Sequence, residues 1–168
     1  MVAINPPPPS KTPAPVWTTI SKGENLLRIF DPNSFGALPT SFRHYGHLAR
    51  FDHHRNSQQI DPVRGILYAG KTISCCLVEV FGNTRVVEVG TYELAQLVTT
   101  RELLILDLRG SGAIKAGTVA GVCKDSNRSF SQEWSRYFYE NPFLYKEIDG
   151  LTFGNAHNDE DSFALYER

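Results

Sequence analysis

The apolar residues of this chain occur in short runs that are separated by glycine, proline and polar residues. Two of the runs predict buried strands, over residues 65–70 (GILYAG) and residues 103–108 (LLILDL). Shorter runs predict four further strands, over residues 26–30, 86–89, 148–154 and 162–166. The chain therefore carries enough strands to form a central sheet.

Helices are predicted where a capping residue comes before a helical spacing of apolar residues. Thr72 is a suitable N-cap for a helix over residues 73–81, which ends at Gly82-Asn83. A second helix is predicted over residues 131–139, before Asn141-Pro142. Two weaker segments remain: residues 92–97 form a weak helix or a turn, and residues 110–113 form a loop or the start of a helix that leads into residues 118–122.

The strands and helices are interleaved, but the helices are short and the connections between them are uneven. This differs from the regular alternation of strands and helices in a doubly wound parallel sheet. A chain of 168 residues forms one domain by default and can bury a core without disulfide bonds. We therefore predict an α+β fold, a compact single domain with a mixed central sheet.

Two segments lack apolar periodicity. Residues 1–16 contain six prolines and predict a polyproline arm, which either docks on the domain formed by residues 17–168 or is a loosely held terminus. Residues 39–59 are rich in arginine and histidine and predict an irregular loop. For its histidines, a solvated polar loop is the favoured interpretation over a metal site, because no metal-binding spacing is present.

The net charge, the lengths of the apolar stretches and the number of cysteines argue against several classes of function. The formal net charge of −1 gives no overall attraction to nucleic acid or to an anionic membrane. No apolar stretch is long enough to span a membrane, and the first residues do not resemble a signal peptide. The odd number of cysteines, three, predicts buried free thiols rather than disulfide bonds. The sequence therefore predicts a cytoplasmic protein that binds neither nucleic acid nor membrane and holds no metal.

Two charged residues stand in apolar surroundings, whereas the common nucleotide and hydrolase motifs (GxxxxGK[ST], GxGxxG, GxSxG) are absent. Glu79 lies between Val78 and Val80 in the predicted helix, and Arg28 lies within a predicted strand. A carboxylate in apolar surroundings needs a partner or changes its pKa. Glu79 is therefore either a functional group or a residue on the solvent face of an amphipathic helix, and Arg28 either binds a ligand or forms a structural ion pair.

Several short motifs, in their order along the chain, resemble the RES-domain family. The strongest is a strand that ends at Tyr68 and is followed by a helix carrying Glu79, because the spacing of eleven residues between the two agrees with the family. The other similar segments are Leu27-Arg28-Ile29, Ala49-Arg50-Phe51, the apolar strand around Asp107, the segment from Ser129 to Trp134, and the closing hairpin from Asp149 to Tyr166.

This resemblance implies a fold akin to that of ADP-ribosyltransferases, with NAD⁺ bound in a central cleft. It implies a toxin that cleaves the nicotinamide–ribose bond of NAD⁺ by phosphorolysis or hydrolysis, or that ADP-ribosylates a protein. It also implies a cognate antitoxin with a helix-turn-helix domain of the Xre type.

The resemblance also suggests a role for each site residue. Arg28 and Arg50 would hold the pyrophosphate of NAD⁺, and Tyr68 would pack on the nicotinamide or its ribose. Glu79 would bind ribose hydroxyls and stabilise the positive charge that develops as nicotinamide leaves. Ser129, with Ser131 as the alternative, would orient the acceptor.

One departure from the family pattern bears on activity. Many members carry serine after the last Gly-apolar-x-aromatic motif, whereas this chain carries Asn155. If that serine is the functional one, a binding module with a degenerate cleft becomes the competing prediction. The sequence does not separate phosphorylase, hydrolase and transferase, since these differ only in the acceptor.

Overall fold

A computed structural model of the protein describes residues 3–56 and 58–168. In chain order its strands are β1 (Trp17–Ile20), β2 (Asn25–Phe30), β3 (Tyr45–Gly46), β4 (Gln59–Ile60), β5 (Ile66–Gly70), β6 (Glu93–Val98), β7 (Leu103–Asp107), β8 (Gly150–Gly154) and β9 (Asp161–Tyr166). Its helices are α1 (Ile73–Phe81), α2 (Gly112–Lys115), α3 (Arg128–Glu140) and α4 (Pro142–Tyr145), with a 3-10 turn at Ala120–Cys123.

Seven strands form one sheet in the order β1-β7-β8-β9-β5-β2-β6, and β3 pairs separately with β4. Neighbouring strands of the large sheet are antiparallel except for β7 and β8, which are parallel. The sheet is therefore mixed, and the predicted α+β class and compact single domain are confirmed.

The two faces of the sheet carry separate apolar clusters. Trp134 and Phe138 of α3 pack on one face, which we call the α3 face. Leu26, Ala69 and Phe163 belong to the cluster on the opposite face. Since side chains alternate along a strand, each neighbour of Ala69 points the other way, and Tyr68 does pack against the α3-face cluster.

Helix α1 is placed by its cap and by a glycine. The hydroxyl of Thr72 accepts a hydrogen bond from the amide of Cys75 at 3.0 Å, so the predicted N-cap and the predicted helix bounds are confirmed. A side chain at Gly70 would meet the sulfur atoms of Cys75 and Cys76. The end of β5 therefore has no room for a larger residue, and α1 lies directly against the sheet there.

Two predicted elements are wrong. Residues 92–97 are not a helix or a turn, because Glu93–Val98 forms β6, the edge strand beside β2. Its residues alternate in exposure as those of a half-buried edge strand do, with Leu94 and Val98 outward and Leu97 against the core. The predicted strand over residues 86–89 is irregular backbone with exposed valines, since no neighbouring strand pairs with it in the described part of the chain.

The other predicted elements are present with somewhat different bounds, whereas no prediction covered β1 or α4. Helix α3 begins at Arg128 rather than 131, because Asn127 caps it by accepting a hydrogen bond from the amide of Ser129. The loop prediction for residues 39–59 is confirmed for residues 39–56 and 58–59, where the short strands β3 and β4 alone interrupt the irregular backbone.

The proline-rich arm lies on the domain, as the first of the two predicted alternatives has it. Ile4 is part of the α3-face cluster, and the indole of Trp134 donates a hydrogen bond of 2.9 Å to the carbonyl of Asn5. Pro9 packs against Gly117, whose φ of +94° and close contact both require glycine. The arm therefore contributes to the core through Ile4.

The interpretation of the histidines as a solvated loop is wrong for two of them. His53 and His54 are both 0% exposed. The ring of His53 lies between Tyr139 and Tyr166, with ring centroids 4.5 and 4.2 Å away. Neither of its nitrogens has a hydrogen-bond partner among the described residues. Burial, and next the charge of His54, lower the pKa of His53 to about 2.

This burial predicts a loss of stability in acid. The folded protein holds His53 neutral while the unfolded chain takes up a proton below pH 6.5, so stability falls as the pH drops from 6.5 towards 2. Within this range, uptake of this one proton by the unfolded chain lowers the free energy of unfolding by about 1.4 kcal/mol per pH unit. In His53→Phe, the free energy of unfolding should fall less steeply between pH 6.5 and 4.5, as measured by urea unfolding. His47→Phe, on the same loop, is the control, and equal slopes in the two variants would contradict this prediction.

Candidate active site

A small pocket lies on the α3 face of the sheet, where β5 ends and α1 begins. Its apolar and small lining residues are Ile29, Ala69, Gly70, Cys75, Cys76 and Val80. Its polar lining residues are Arg28, Tyr68, Glu79 and Ser162. The pocket encloses about 50 Å³, far below the roughly 300–1,000 Å³ of typical ligand sites. It can accept only part of a large ligand, around the carboxylate of Glu79.

Glu79 has two hydrogen-bond donors and both approach the same oxygen. The amide of Asn155 donates to Oε1 at 2.9 Å, and the hydroxyl of Ser162 donates to Oε1 at 3.2 Å. Oε2 forms no hydrogen bond within the described chain. Burial raises the pKa of the Glu79 carboxyl, while the bond from Ser162 and the nearby charges of Arg50, His157 and Arg128 oppose that shift.

Tyr68 presents its ring to the pocket and is held by its hydroxyl. The hydroxyl donates to Oδ1 of Asp52 at 2.9 Å and accepts from the amide of Phe51 at 2.9 Å. Desolvation and the charge of Asp52 raise the pKa of this tyrosine well above its ordinary value. Tyr68 is therefore a neutral, fixed aromatic wall rather than a proton donor.

Asp52 organises the loop that precedes β5, and sequence reasoning missed it. It is 0% exposed, and its carboxylate accepts two bonds from Arg43, of 2.7 and 2.8 Å. It also accepts from the amides of Leu48 and Ala49, at 2.5 and 2.9 Å. A carboxylate that receives this many donors fixes the loop on which Arg50 stands.

Arg28 is among the residues that line the pocket, but its guanidinium group binds two carbonyls of residues outside the pocket lining. Leu27 pairs with Gly70 and Leu26 lies in the cluster on the opposite face, so the side chain of Arg28 leaves the sheet away from Tyr68. Its guanidinium donates to the carbonyls of Pro39 and Ser41 at 2.7 and 2.8 Å. In this structure Arg28 ties β2 to the start of the arginine-rich loop.

The arginines whose charges reach Glu79 are Arg50 and Arg128. Arg50 donates to the carbonyl of Asp125, and Arg128 donates to the carbonyl of Leu48 at 2.9 Å. Neither forms an ion pair within residues 3–56 and 58–168. Burial and then the charge of Arg128 lower the pKa of Arg50. Two neighbouring arginines without a carboxylate partner form a site suited to an anion.

The candidate serines are placed differently. Ser129 is exposed at the start of α3, beside Arg128, and bonds Asn127 at 2.7 Å. Ser131 is buried and donates to the carbonyl of Val122 at 2.6 Å, a structural contact. The residues that reach Glu79 are Asn155 and Ser162. Sequence reasoning missed Ser162, since only the register shows that it is paired with Gly70 at the end of β5.

A second cleft lies at the β8–β9 hairpin. It encloses about 350 Å³ and is lined by the end of β7, the 3-10 turn and the hairpin: Leu108, Arg109, Gly110, Ala120, Cys123, Lys124, Gly154, Asp159 and Asp161. Gly154 and Asp161 directly adjoin Asn155 and Ser162 in the chain. The lining of this cleft therefore includes the chain neighbours of the two residues that hold Glu79.

The described residues contain no group of three or more histidine, cysteine and acidic side chains that could hold a metal ion. All three cysteines are free and buried, which confirms the prediction of free thiols. Within residues 3–56 and 58–168, no helix has both the length and the hydropathy to cross a membrane.

Comparison with known proteins places the chain in a family. No curated protein sequence matches it. The fold is similar to that of a chain in the crystal structure of the M. tuberculosis MbcT–MbcA toxin–antitoxin complex, with a TM-score of 0.59 and 17% sequence identity over 88% of this chain and 76% of that chain. The RES domain profile matches residues 25–168, which include β2 to β9 and the whole pocket. The chain therefore belongs to the RES domain family.

Proposed function

We propose that this protein is the toxin of a toxin–antitoxin pair, and that it binds NAD⁺ and breaks the nicotinamide–ribose bond. The observation that carries the proposal is the carboxylate of Glu79, which lines the pocket with Tyr68 although the residue is partly open to solvent. It is held through one oxygen, and the charges of two arginines without acidic partners among the described residues act on it. A fixed anion suits the positive charge that develops on ribose, and paired arginines suit the pyrophosphate.

In this proposal each residue acts on a different part of NAD⁺. Arg50 and Arg128 hold the pyrophosphate, while the ring of Tyr68 packs on the nicotinamide or its ribose. Glu79 binds the ribose hydroxyls and stabilises the oxocarbenium-like charge at the anomeric carbon. Nicotinamide leaves as a neutral molecule from a cationic ring, so neither a metal nor a strong acid is needed to release it.

The remaining predicted residues take lesser roles. Arg28 stabilises the position of the arginine-rich loop through the carbonyls of Pro39 and Ser41. Ser129, which is exposed next to Arg128 at the start of α3, would orient the acceptor. The acceptor decides the reaction: phosphate gives phosphorolysis, water gives hydrolysis, and a protein side chain gives ADP-ribosylation.

Losing either arginine should weaken NAD⁺ binding more than turnover. We expect Arg50→Ala and Arg128→Ala each to raise KM for NAD⁺ by about tenfold or more, the scale of one charge-assisted hydrogen bond. Arg101→Ala is the control, because Arg101 pairs with Asp149 before β8, at the end of that strand away from Asn155. Steady-state kinetics on the three variants test this, and KM values equal to that of Arg101→Ala would remove the arginines from the site.

We further propose a cytoplasmic location and a partner that silences the protein, an antitoxin with a helix-turn-helix domain. The structural neighbour comes from a toxin–antitoxin complex, which supports this pairing. Expression of the chain alone in a bacterial host should stop growth and lower cellular NAD⁺, whereas Glu79→Gln at the same level should do neither. Normal growth with abundant folded wild-type protein would count against a toxin.

The competing view, a degenerate binding module, is disfavoured by the contact of Asn155. This asparagine differs from the serine of many family members, yet its amide reaches Glu79 at 2.9 Å. The carboxylate of Glu79 is therefore held by a hydrogen bond even though this position carries asparagine instead of serine. ADP-ribosylation of a protein remains the second candidate, because the β8–β9 hairpin, which carries Asn155 and Ser162, also borders a cleft of about 350 Å³ that has room for a group larger than water.

A further inference from the structure

We propose that Ser162 and Asn155 are positioning residues for Glu79, which together hold Oε1 and leave Oε2 free for the substrate. The proposal rests on the proposed function and adds the residues through which the site orients the carboxylate that lines its pocket. The two donors come from opposite sides of the β8–β9 hairpin turn, 76 and 83 residues along the chain from Glu79.

The hydrogen-bonding directions around Ser162 are fixed by counting protons. Ser162 has one hydroxyl proton, and the carboxylate of Glu79 can only accept it. The sulfur of Cys75 lies 3.0 Å from the same hydroxyl oxygen, so the thiol must be the donor in any hydrogen bond between them. Burial raises the pKa of the Cys75 thiol and so keeps this proton on sulfur. The thiol also lies 3.4 Å from the carbonyl of Asp161, which competes for its proton, so the direction that is fixed is the one from the Ser162 hydroxyl to the carboxylate.

Asn155 is fixed with its amide nitrogen towards Glu79. The residue is 0% exposed, and its backbone amide donates to the carbonyl of Glu160 at 2.9 Å. Its side-chain oxygen accepts from the amide of His157 at 2.7 Å. Because that oxygen already accepts the hydrogen bond from His157, the side-chain nitrogen is the atom that faces Glu79. The hairpin turn thus aims a donor at the carboxylate.

Two donors on one oxygen have a chemical consequence. They set the orientation of the carboxylate and favour its ionised form against the cost of burial. The charged groups that face Glu79 act in the same direction: Arg50 from the loop, Arg128 from α3 and His157 from the hairpin turn. Cys75 on the same helix is neutral. Removal of either donor should therefore make Glu79 easier to protonate and less well oriented.

The test compares Ser162→Ala and Asn155→Ala with Thr152→Val. Thr152 is equally buried in β8, but it lies opposite Phe163 and faces away from Glu79, and its hydroxyl bonds only the carbonyl of Ser162. The carboxyl carbon of Glu79, labelled with ¹³C, is followed by NMR as the pH is changed. The midpoint of its titration should move to higher pH in both alanine variants and stay at the wild-type value in Thr152→Val.

Kinetics on the same proteins supply the second measurement. For both alanine variants kcat for NAD⁺ cleavage should fall about tenfold, the scale of one hydrogen bond to a charged group, with a smaller change in KM. The acid limb of the kcat/KM profile should move to higher pH, and His157 does not obscure this difference because every variant retains it. If one alanine variant fails to fold, the other provides the same measurement.

The two proposals fail in different ways. A Glu79 titration in both alanine variants that matches Thr152→Val would overturn the positioning role, whatever the enzyme does to NAD⁺. An absence of NAD⁺ cleavage by the wild-type protein would instead overturn the proposed function, while a shifted titration would still show that the two donors hold the carboxylate.

Discussion

Replacement of Glu79 with glutamine is expected to lower NAD⁺ turnover by at least about 100-fold, the scale for removing one aimed electrostatic group. The folded protein should be as stable as before or slightly more stable. The side-chain oxygen of glutamine can accept the same bonds from Asn155 and Ser162 that Oε1 accepts now. The substitution also removes a charge whose partial desolvation raises the pKa of Glu79. Only the interaction with the developing positive charge is lost.

Turnover and melting temperature measured on the same sample check this prediction. Gln96→Glu, on the exposed part of the edge strand β6, serves as a control for a change of one charge at constant shape. A Glu79→Gln protein with a lowered melting temperature and near-normal turnover would show that Glu79 is structural. That result would also remove the residue that anchors the proposed site.

The second large effect is expected at Asp52. Asp52→Ala should destabilise the fold by about 3–5 kcal/mol, because it leaves a buried group of donors unpaired. Those donors are Arg43, the amides of Leu48 and Ala49, and the hydroxyl of Tyr68. For a protein of this size the melting temperature should fall on the order of 10 °C. NAD⁺ cleavage should fall as well, since the same loop carries Arg50.

Tyr68→Phe measures how much of the loss of stability comes from the hydrogen bond between Tyr68 and Asp52. It removes one of the donors to Asp52 and keeps the aromatic wall, so its cost should be about 1 kcal/mol. Thermal and urea unfolding of the two variants give the comparison. If Asp52→Ala were no more destabilising than Tyr68→Phe, the loop would be held by other contacts, and Asp52 would lose the role assigned to it.

The strand and helix that form the centre of the pocket could be predicted because they are local. Tyr68, the turn after Gly70 and Glu79 lie within one strand–turn–helix unit, and the Thr72 cap fixes where the helix starts. Within such a unit the spacing of the residues determines which of them meet. The α+β class followed in the same way from the order of short strands and helices.

The arginines could not be assigned from the sequence, because their roles depend on strand register. Arg28 and Arg50 both occur in motifs that resemble the family. The pairing of Leu27 with Gly70 turns the side chain of Arg28 to the opposite face, whereas the loop held by Asp52 brings Arg50 within range of Glu79. A shift of one residue in that register would reverse the face on which Arg28 lies.

Contacts between distant segments account for the other differences. Ser162 and Asn155 reach Glu79 only because β9 pairs with β5, which no local pattern encodes. Similarly, His53 occurs in a polar stretch of sequence, but the aromatic rings of Tyr139 and Tyr166 enclose it. Residues 92–97 form a strand rather than the predicted helix or turn because pairing with β2, which the local pattern does not encode, decides their conformation, and Leu94 and Val98 remain exposed at the sheet edge.

The most direct test of the proposed function is the release of nicotinamide from NAD⁺ by the purified, folded protein. Free nicotinamide would be measured by chromatography after incubation with water alone, with phosphate, or with a protein extract as acceptor. The structure predicts release in at least one of these conditions and its near-complete loss in Glu79→Gln. Intact NAD⁺ in all three conditions, with protein shown to be folded, would contradict the assignment of this RES domain as an NAD⁺-cleaving enzyme.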